Sequence, residues 1–212
     1  MKMLRIIFLS CLVSMSIAAF FAGISYGEEK QSYGDLLKRV KEYDRSVDFG
    51  ALRLAYAATP AYNPYSNDGD TRDSMYSALR DKKYDEALRA AQKILENNYV
   101  DIDAHTVCKI AYRQMADNDK SALHAFVAGG LIDSILASGD GTAPETAFVV
   151  INTSEEYILM RVLRLKFGKQ SLIGNAGHNY DKFEAVEPKS GNSLEIYFNI
   201  DVPYGWLNKK LK

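Results

Sequence analysis

Ser138-Gly-Asp-Gly-Thr142, followed by Glu145-Thr-Ala-Phe-Val-Val-Ile151 and Glu155-Glu-Tyr157, is the stretch on which the fold turns. Upstream of it, apolar residues recur at three- and four-residue spacing, the period of helices. Downstream, β-branched runs and two-residue alternation take over. The loop therefore marks a change of architecture inside one chain, helices first and then a small sheet, which is an α+β order. Gly139 and Gly141 are read as ending the last upstream helix and reversing the chain into a strand.

Working back from the loop, residues 28–137 read as a helical region. Residues 31–45 place Leu36, Leu37, Val40 and Tyr43 on one face. Asp48 is a cap for a helix over 49–58 that presents Phe49, Leu52 and Tyr56 together. Thr59-Pro60 ends that helix, and residues 61–70 carry loop chemistry, with Pro64 and Gly69. Asp68, Asp70 and Asp73 do not follow the calcium-loop order of alternating oxygen donors, a central Gly and a closing Glu. The spacing instead predicts that Asp70 or Thr71 caps the next helix.

From residue 71 to 137 the pattern is that of paired antiparallel helices. Lys83-Tyr-Asp-Glu-Ala-Leu88 with Ala91 and Ile94 resembles the second helix of a tetratricopeptide repeat. Ala104, Cys108, Ala111 and Tyr112 resemble the first helix of the next repeat. Ala122 falls one position late for the small-residue site, and the proline expected after the earlier pair is absent. An unrelated bundle that packs on small residues reads the same way. Such arrays need about three units to bury their own faces, so two pairs must share core with the flanking helices or the strands.

Working forward, residues 147–151 form an apolar, β-branched run, and Thr153-x-x-Glu156 has capping-box spacing for a short helix reaching Leu163. Weaker strands are expected near 170–173 and 180–186, joined by Gly174-Asn-Ala-Gly177. Leu194, Ile196, Phe198 and Ile200 alternate with polar neighbours as a strand with one buried face. The expectation is a small antiparallel sheet with one short helix over 138–212, packed on the helical layer as one domain. Pro203-Tyr-Gly205 is expected to end the last strand and drop Trp206 and Leu207 as a plug.

The first 27 residues are a segment apart. Lys2 and Arg5 precede an apolar run from Ile6 to Phe21, and Ser25 and Gly27 suit cleavage before Glu28, so the segment reads as an export signal, with an uncleaved anchor as the alternative. Cys11 lacks a lipidation context, because the apolar run continues past it. Cleavage leaves Cys108 as a lone thiol among apolar neighbours, read as a buried small hydrophobe. It also removes two of the 26 Lys and Arg, leaving 24 against 27 Asp and Glu, a charge of −3. That balance gives no footprint for nucleic acid. The expected product is exported, periplasmic or extracellular, with no stable membrane span.

Several motifs in order carry a family resemblance: Asp48-Phe-x-x-Leu-Arg53 with Ala55-Tyr56, Tyr62-Asn-Pro-Tyr65, Asp103-Ala-His105, the Ser138 loop with Glu145 to Val150, Glu155-Glu-Tyr157, and Tyr197-Phe-Asn-Ile-Asp201. Together they resemble the exported bacterial family known as domain of unknown function 4919. The resemblance implies export and an α+β layout, and it carries over no catalytic residues.

Chemistry-bearing residues are few. Asp140, Glu155, Glu156, His178 and Asp181 lie in the second half, with His105 and His124 on helices. No His-x-x-x-His or Cys-x-x-Cys pair exists, so neither metal nor cofactor is expected. The Ser138 loop has neither the nucleophile-elbow pattern nor a phosphate-loop lysine. Gly177-His-Asn-Tyr-Asp181 could place an imidazole beside an orienting carboxylate, or it could be a plain turn. Tyr62 and Tyr65, held by Pro64, could face a ligand or partner, or pack back on the helices. The expected function is a non-enzymatic binding or scaffold module of the cell envelope, its helical layer holding an envelope protein or peptide. The alternative is an envelope hydrolase using His178 with Asp181 or Glu156.

Overall fold

The computed structural model describes residues 31–65 and 68–211. The proposed leader at 1–27, with Cys11, lies outside the described residues. Helices α1 (Tyr33–Lys41), α2 (Phe49–Ala57), α3 (Gly69–Arg80), α4 (Tyr84–Asn97), α5 (Ile102–Gln114) and α6 (Asn118–Leu136) come first. Their starts follow capping chemistry: Ser32, Asp48, Asp101 and Asp117 each accept a backbone N–H of the first turn through the side chain. The start of α3 differs from the expected cap at Asp70 or Thr71. Asp68 holds the cap position without a side-chain cap bond. Its carboxylate is taken instead by Arg72, at 2.9 Å.

Helices α3, α4, α5 and α6 each pack on the next. Ala78, Ala87, Ala91, Ala104, Cys108 and Ala111 are all buried in the seam of α3 to α5, so backbones approach closely where a larger side chain would hold them apart. Two histidines join α5 to α6. His105 Nε2 lies 2.8 Å from the Tyr99 carbonyl, and its Nδ1 lies 2.8 Å from His124 Nδ1. A carbonyl only accepts, so Nε2–H of His105 donates to it. Its Nδ1 is then the acceptor for His124 Nδ1–H. Burial pushes His105 down to about 3 and His124 down to about 4, which keeps both rings neutral, as this arrangement requires.

After α6 the Ser138 loop turns the chain. Ser138 Oγ donates to Ile135 O at 2.6 Å and accepts from Val149 N at 2.8 Å, linking the helix end to the first strand. Gly141 has φ +70, and a Cβ there would lie 2.4 Å from the Phe148 ring. Only glycine meets both conditions.

The sheet contains β1 (Phe148–Val149), β2 (Lys166–Asn175), β3 (His178–Val186) and β4 (Ser193–Asn199), in the order β1-β4-β3-β2. It is mostly antiparallel. The departure from the expected all-antiparallel sheet is β1, which runs parallel to β4 with Phe148 opposite Phe198. A 3₁₀ turn (Pro144–Thr146) precedes β1, and helix α7 (Thr153–Val162) follows it. The hairpin between β2 and β3 has only Ala176 and Gly177 in its loop, both with positive φ, the backbone that matches strand twist. Phe183, Ala185, Ile196 and Phe198 point from the sheet into one apolar cluster with Leu36, Leu52 and Leu131 of the helical layer. The two halves therefore share a core.

Two expectations about the short helices are corrected. The cap of α7 is Asn152, whose Oδ1 accepts Glu155 N at 3.0 Å, so Glu156 stands one place too late for a capping box. Residues 203–205 do not end the chain's last element, because α8 (Asp201–Lys210) runs through them. Pro203 is tolerated as the third residue of that helix, where the N–H has no intrahelical partner to lose. Trp206 on α8 lies 6.0 Å from the Tyr65 ring.

One polar contact crosses the core. Arg53 on α2 donates through Nε to Glu155 Oε1 at 3.0 Å and through Nη2 to Oε2 at 2.6 Å. The side chains are only 3% and 1% exposed. Truncating one partner strands a buried charge. Arg53→Met or Glu155→Leu should each cost about 3–5 kcal/mol in urea unfolding, and the double variant should cost clearly less than the sum of the two. Additive losses would mean the pair does not act as a unit.

Candidate functional site

The local chemistry of three helix starts builds a crevice of about 240 Å³. Asp68 and Arg72 come from the start of α3, and Asn98 and Asp101 from the link into α5. Asn152, Thr153 and Ser154 come from the start of α7. The remaining wall is Asn63, Pro64 and Tyr65. That loop is fixed from below, because the buried Tyr62 donates its hydroxyl to the Ile151 carbonyl, and Asn63 Oδ1 accepts Tyr65 N at 3.1 Å.

Charge in the crevice is consumed internally. Arg72 Nη2 donates to Asp68 Oδ2 at 2.9 Å and to Asp101 Oδ2 at 2.7 Å. Asp101 also accepts Ala104 N at 2.8 Å as the cap of α5. The asparagines use their oxygens on the backbone: Asn63 on Tyr65 N, Asn98 on Val100 N at 3.2 Å and Asn152 on Glu155 N. Their Nδ2 groups have no partner among the described residues, which leaves three neutral amide donors at one place.

Beside Tyr65 lies a carboxyl pair. Glu156 is fully buried, and neither of its oxygens meets a donor among the described residues. Burial and the neighbouring Asp181 push Glu156 up to about 9, so it is protonated at neutral pH and its own proton serves Asp181. Burial also raises Asp181, while hydrogen bonds from Gln170 and Glu156 pull it back. Gln170 Nε2 donates to Asp181 Oδ2 at 2.9 Å and Tyr157 donates to Gln170 Oε1 at 3.1 Å. Burial, then the charges of Asp181 and Glu156, raise the Tyr65 phenol.

The residues singled out from sequence thus separate. Asp181 and Glu156 come together. His178 does not join them, since it lies on the opposite face of β3 from Asp181 by strand alternation. It pairs with Asp201, Nδ1 to Oδ2, at 2.6 Å, while Asp201 Oδ1 accepts Asn179 N at 2.8 Å. Glu155 is committed to Arg53. Asp140 accepts Thr142 N at 2.9 Å and the Thr146 hydroxyl at 2.5 Å, a loop-closing role away from His178 and Asp181. Burial pushes the Cys108 thiol up to about 12, as for an inert core thiol. Among the described residues no group of three or more His, Cys, Asp or Glu is placed to hold a metal ion, and no helix is long and apolar enough to cross a membrane.

Arg53 and Asp201 stand in the family motifs without any sign of their partners, and the Arg72–Asp101 pair carries no motif. Arg53 left a trace, as a lone cation on the apolar helix Phe49 to Ala57. The pairing of Asp201 left none, because its meeting with His178 depends on the register that sets Tyr180 opposite Asn199.

Comparison with known proteins adds one fact. The model of the family described as "Domain of unknown function (DUF4919)" matches residues 24–207, and the chain belongs to that family. No curated protein and no solved structure matches it.

The acid pair has a measurable signature. A carboxyl raised from 4.5 to about 9 contributes its full stability below pH 4.5 and loses it as pH rises through 9. Glu156→Gln should therefore match the parent near pH 4.5 and exceed it near pH 7, by on the order of 3 kcal/mol. Chemical unfolding at the two pH values checks this. An equal offset at both would refute the shared proton.

Proposed function

We propose that this member of the DUF4919 family is an exported, non-enzymatic binding module of the cell envelope, taking its ligand in the crevice between α3, α5 and α7. Export rests on the Lys2 to Gly27 segment. Binding rests on the three asparagine amides that line one cavity and have no partner among the described residues, so that a ligand can take them without breaking a bond already made. The helical layer, read as two degenerate tetratricopeptide-like pairs, acts as the scaffold. Its buried alanines and Cys108 support that reading.

Thermal-shift titration of residues 28–212 against neutral saccharides, short peptides and inorganic phosphate tests the proposal. One class should raise the melting temperature saturably, as a ligand that binds only the folded state must. Thr153→Phe, which fills the crevice from the half-exposed first residue of α7, should abolish the shift while leaving the unliganded melting temperature nearly unchanged. If no class shifts the parent chain, the proposal falls.

A second reading is favoured by one contact. The 2.6 Å bond from His178 Nδ1 to Asp201 orients the imidazole and leaves Nε2 toward solvent, the arrangement of a general base in an envelope hydrolase. In this form of the alternative, Asp201 takes the role first considered for Asp181 or Glu156. Hydrolysis of p-nitrophenyl acetate should then fall by about 10²-fold or more in both His178→Asn and Asp201→Asn. A parent rate equal to that of His178→Asn would end the reading.

A further inference from the structure

We infer that the ligand of the crevice is a neutral saccharide, a sugar ring stacked on Tyr65 and held by the asparagine amides. The inference rests on the binding reading above and specifies its ligand. Charge comes first. The one guanidinium in the crevice, Arg72, is already bonded to Asp68 and Asp101, so no free cation greets a phosphate or carboxylate. The same carboxylates accept from Arg72 and, for Asp101, from Ala104 N, so they are not vacant for an ammonium group. What remains is neutral hydrogen bonding.

Its pattern favours hydroxyl groups over peptide. The walls are helix starts and a loop, with no strand edge along which an extended backbone could pair. Asn63, Asn98 and Asn152 present amide donors, and the hydroxyls of Thr153 and Ser154, which can accept as well as donate, line the same wall. Vicinal hydroxyls both donate and accept, so they can answer such a mixed array at every position. The cavity, at about 240 Å³, is small for an extended ligand and open at Tyr65.

The aromatic face supplies the apolar part. Tyr65 is 43% exposed, and its ring is backed by Trp206 at 6.0 Å. Pro64 is buried beneath the loop, and Tyr62 is anchored on Ile151. The platform is therefore held in place before a ligand arrives, which lowers the ordering cost of stacking. A sugar ring has an apolar C–H face and a polar rim, matching a flat aromatic beside amide donors.

Trp206 is the sole tryptophan of the chain, so its fluorescence reports on Tyr65 directly. Residues 28–212 are titrated with glucose, galactose, mannose and N-acetylglucosamine and their β-1,4 dimers, and separately with trialanine and inorganic phosphate. Titrations run to about 10 mM, where even a millimolar site is nearly filled, and saturation-transfer NMR provides a second readout. At least one saccharide should give a saturable response that Tyr65→Ala weakens by about tenfold or more, with phosphate and trialanine silent. Saturation by trialanine or phosphate without any saccharide response overturns the saccharide assignment and leaves the binding reading standing. Silence of every probe in both readouts overturns both.

Discussion

The bidentate contact between Arg53 and Glu155 is the constraint from which the rest of the molecule is arranged. Its two residues are about a hundred positions apart, and the contact ties α2 to the start of α7 through 3.0 and 2.6 Å bonds. Arg53 also reaches the Val149 carbonyl at 2.9 Å, while Glu155 Oε2 accepts Ile151 N at 2.8 Å. Burying two charges costs several kcal/mol per ion unless every lone pair and proton is met. Here the surrounding backbone meets them, so β1 and the turn into α7 can occupy only the place where their groups complete the pair. The crevice inherits its α7 wall from that placement.

Glu155 and Glu156 show how one residue of helical rotation separates two identical side chains. A step of about 100° along α7 turns the first toward a guanidinium and the second toward the Asp181 carboxyl. The first is satisfied as an ion pair. The second has no donor nearby and keeps its proton instead, which is the cheaper outcome for an acid in a dry place. The histidine pair obeys the same rule with opposite sign: burial keeps His105 and His124 neutral, so acid works against the fold below about pH 6.5. Glu156 works against it in the other direction, as pH rises from 4.5 toward 9.

Much of the fold was legible because it is written locally. Asp48 before an apolar helix is a cap whose partner lies three residues away. The alternation from Leu194 to Ile200 is a property of the strand itself, and Gly141 answers a turn at its own position. What escaped is long-range or conditional. The two-residue β1 is parallel to β4 because of where the Ser138 loop and α7 hold it, and nothing within Phe148-Val149 records a direction. Helix α8 contains a proline and a glycine, which read as a break, but the proline falls in the first turn, where no hydrogen bond is lost, and Val202, Tyr204 and Trp206 pack against the shared core. Of the candidate residues, Glu156 and Asp181 were visible as acids, but their pairing needed β3 and α7 in place. Of the crevice asparagines only Asn63 stands in a motif, and none signals a ligand, since Asn in a loop most often serves its own backbone.

The motif residues that carry the family resemblance are, with few exceptions, consumed in holding the chain together. Arg53 and Glu155 form the buried pair, and Tyr62 pins the loop. His105 bridges Tyr99 to His124, Ser138 joins α6 to β1, Asp140 closes its own turn, and Asp201 caps the β2–β3 hairpin end through Asn179. A side chain whose hydrogen bonds are already made gains little by turning to a ligand, because each new contact must first break an old one. The groups that these residues position without using up are the amides of Asn63, Asn98 and Asn152 and the open face of Tyr65, and on them the proposed binding rests. Most of the motif residues form the frame, and Asn63 and Tyr65 are the motif residues whose amide and ring face it leaves unspent.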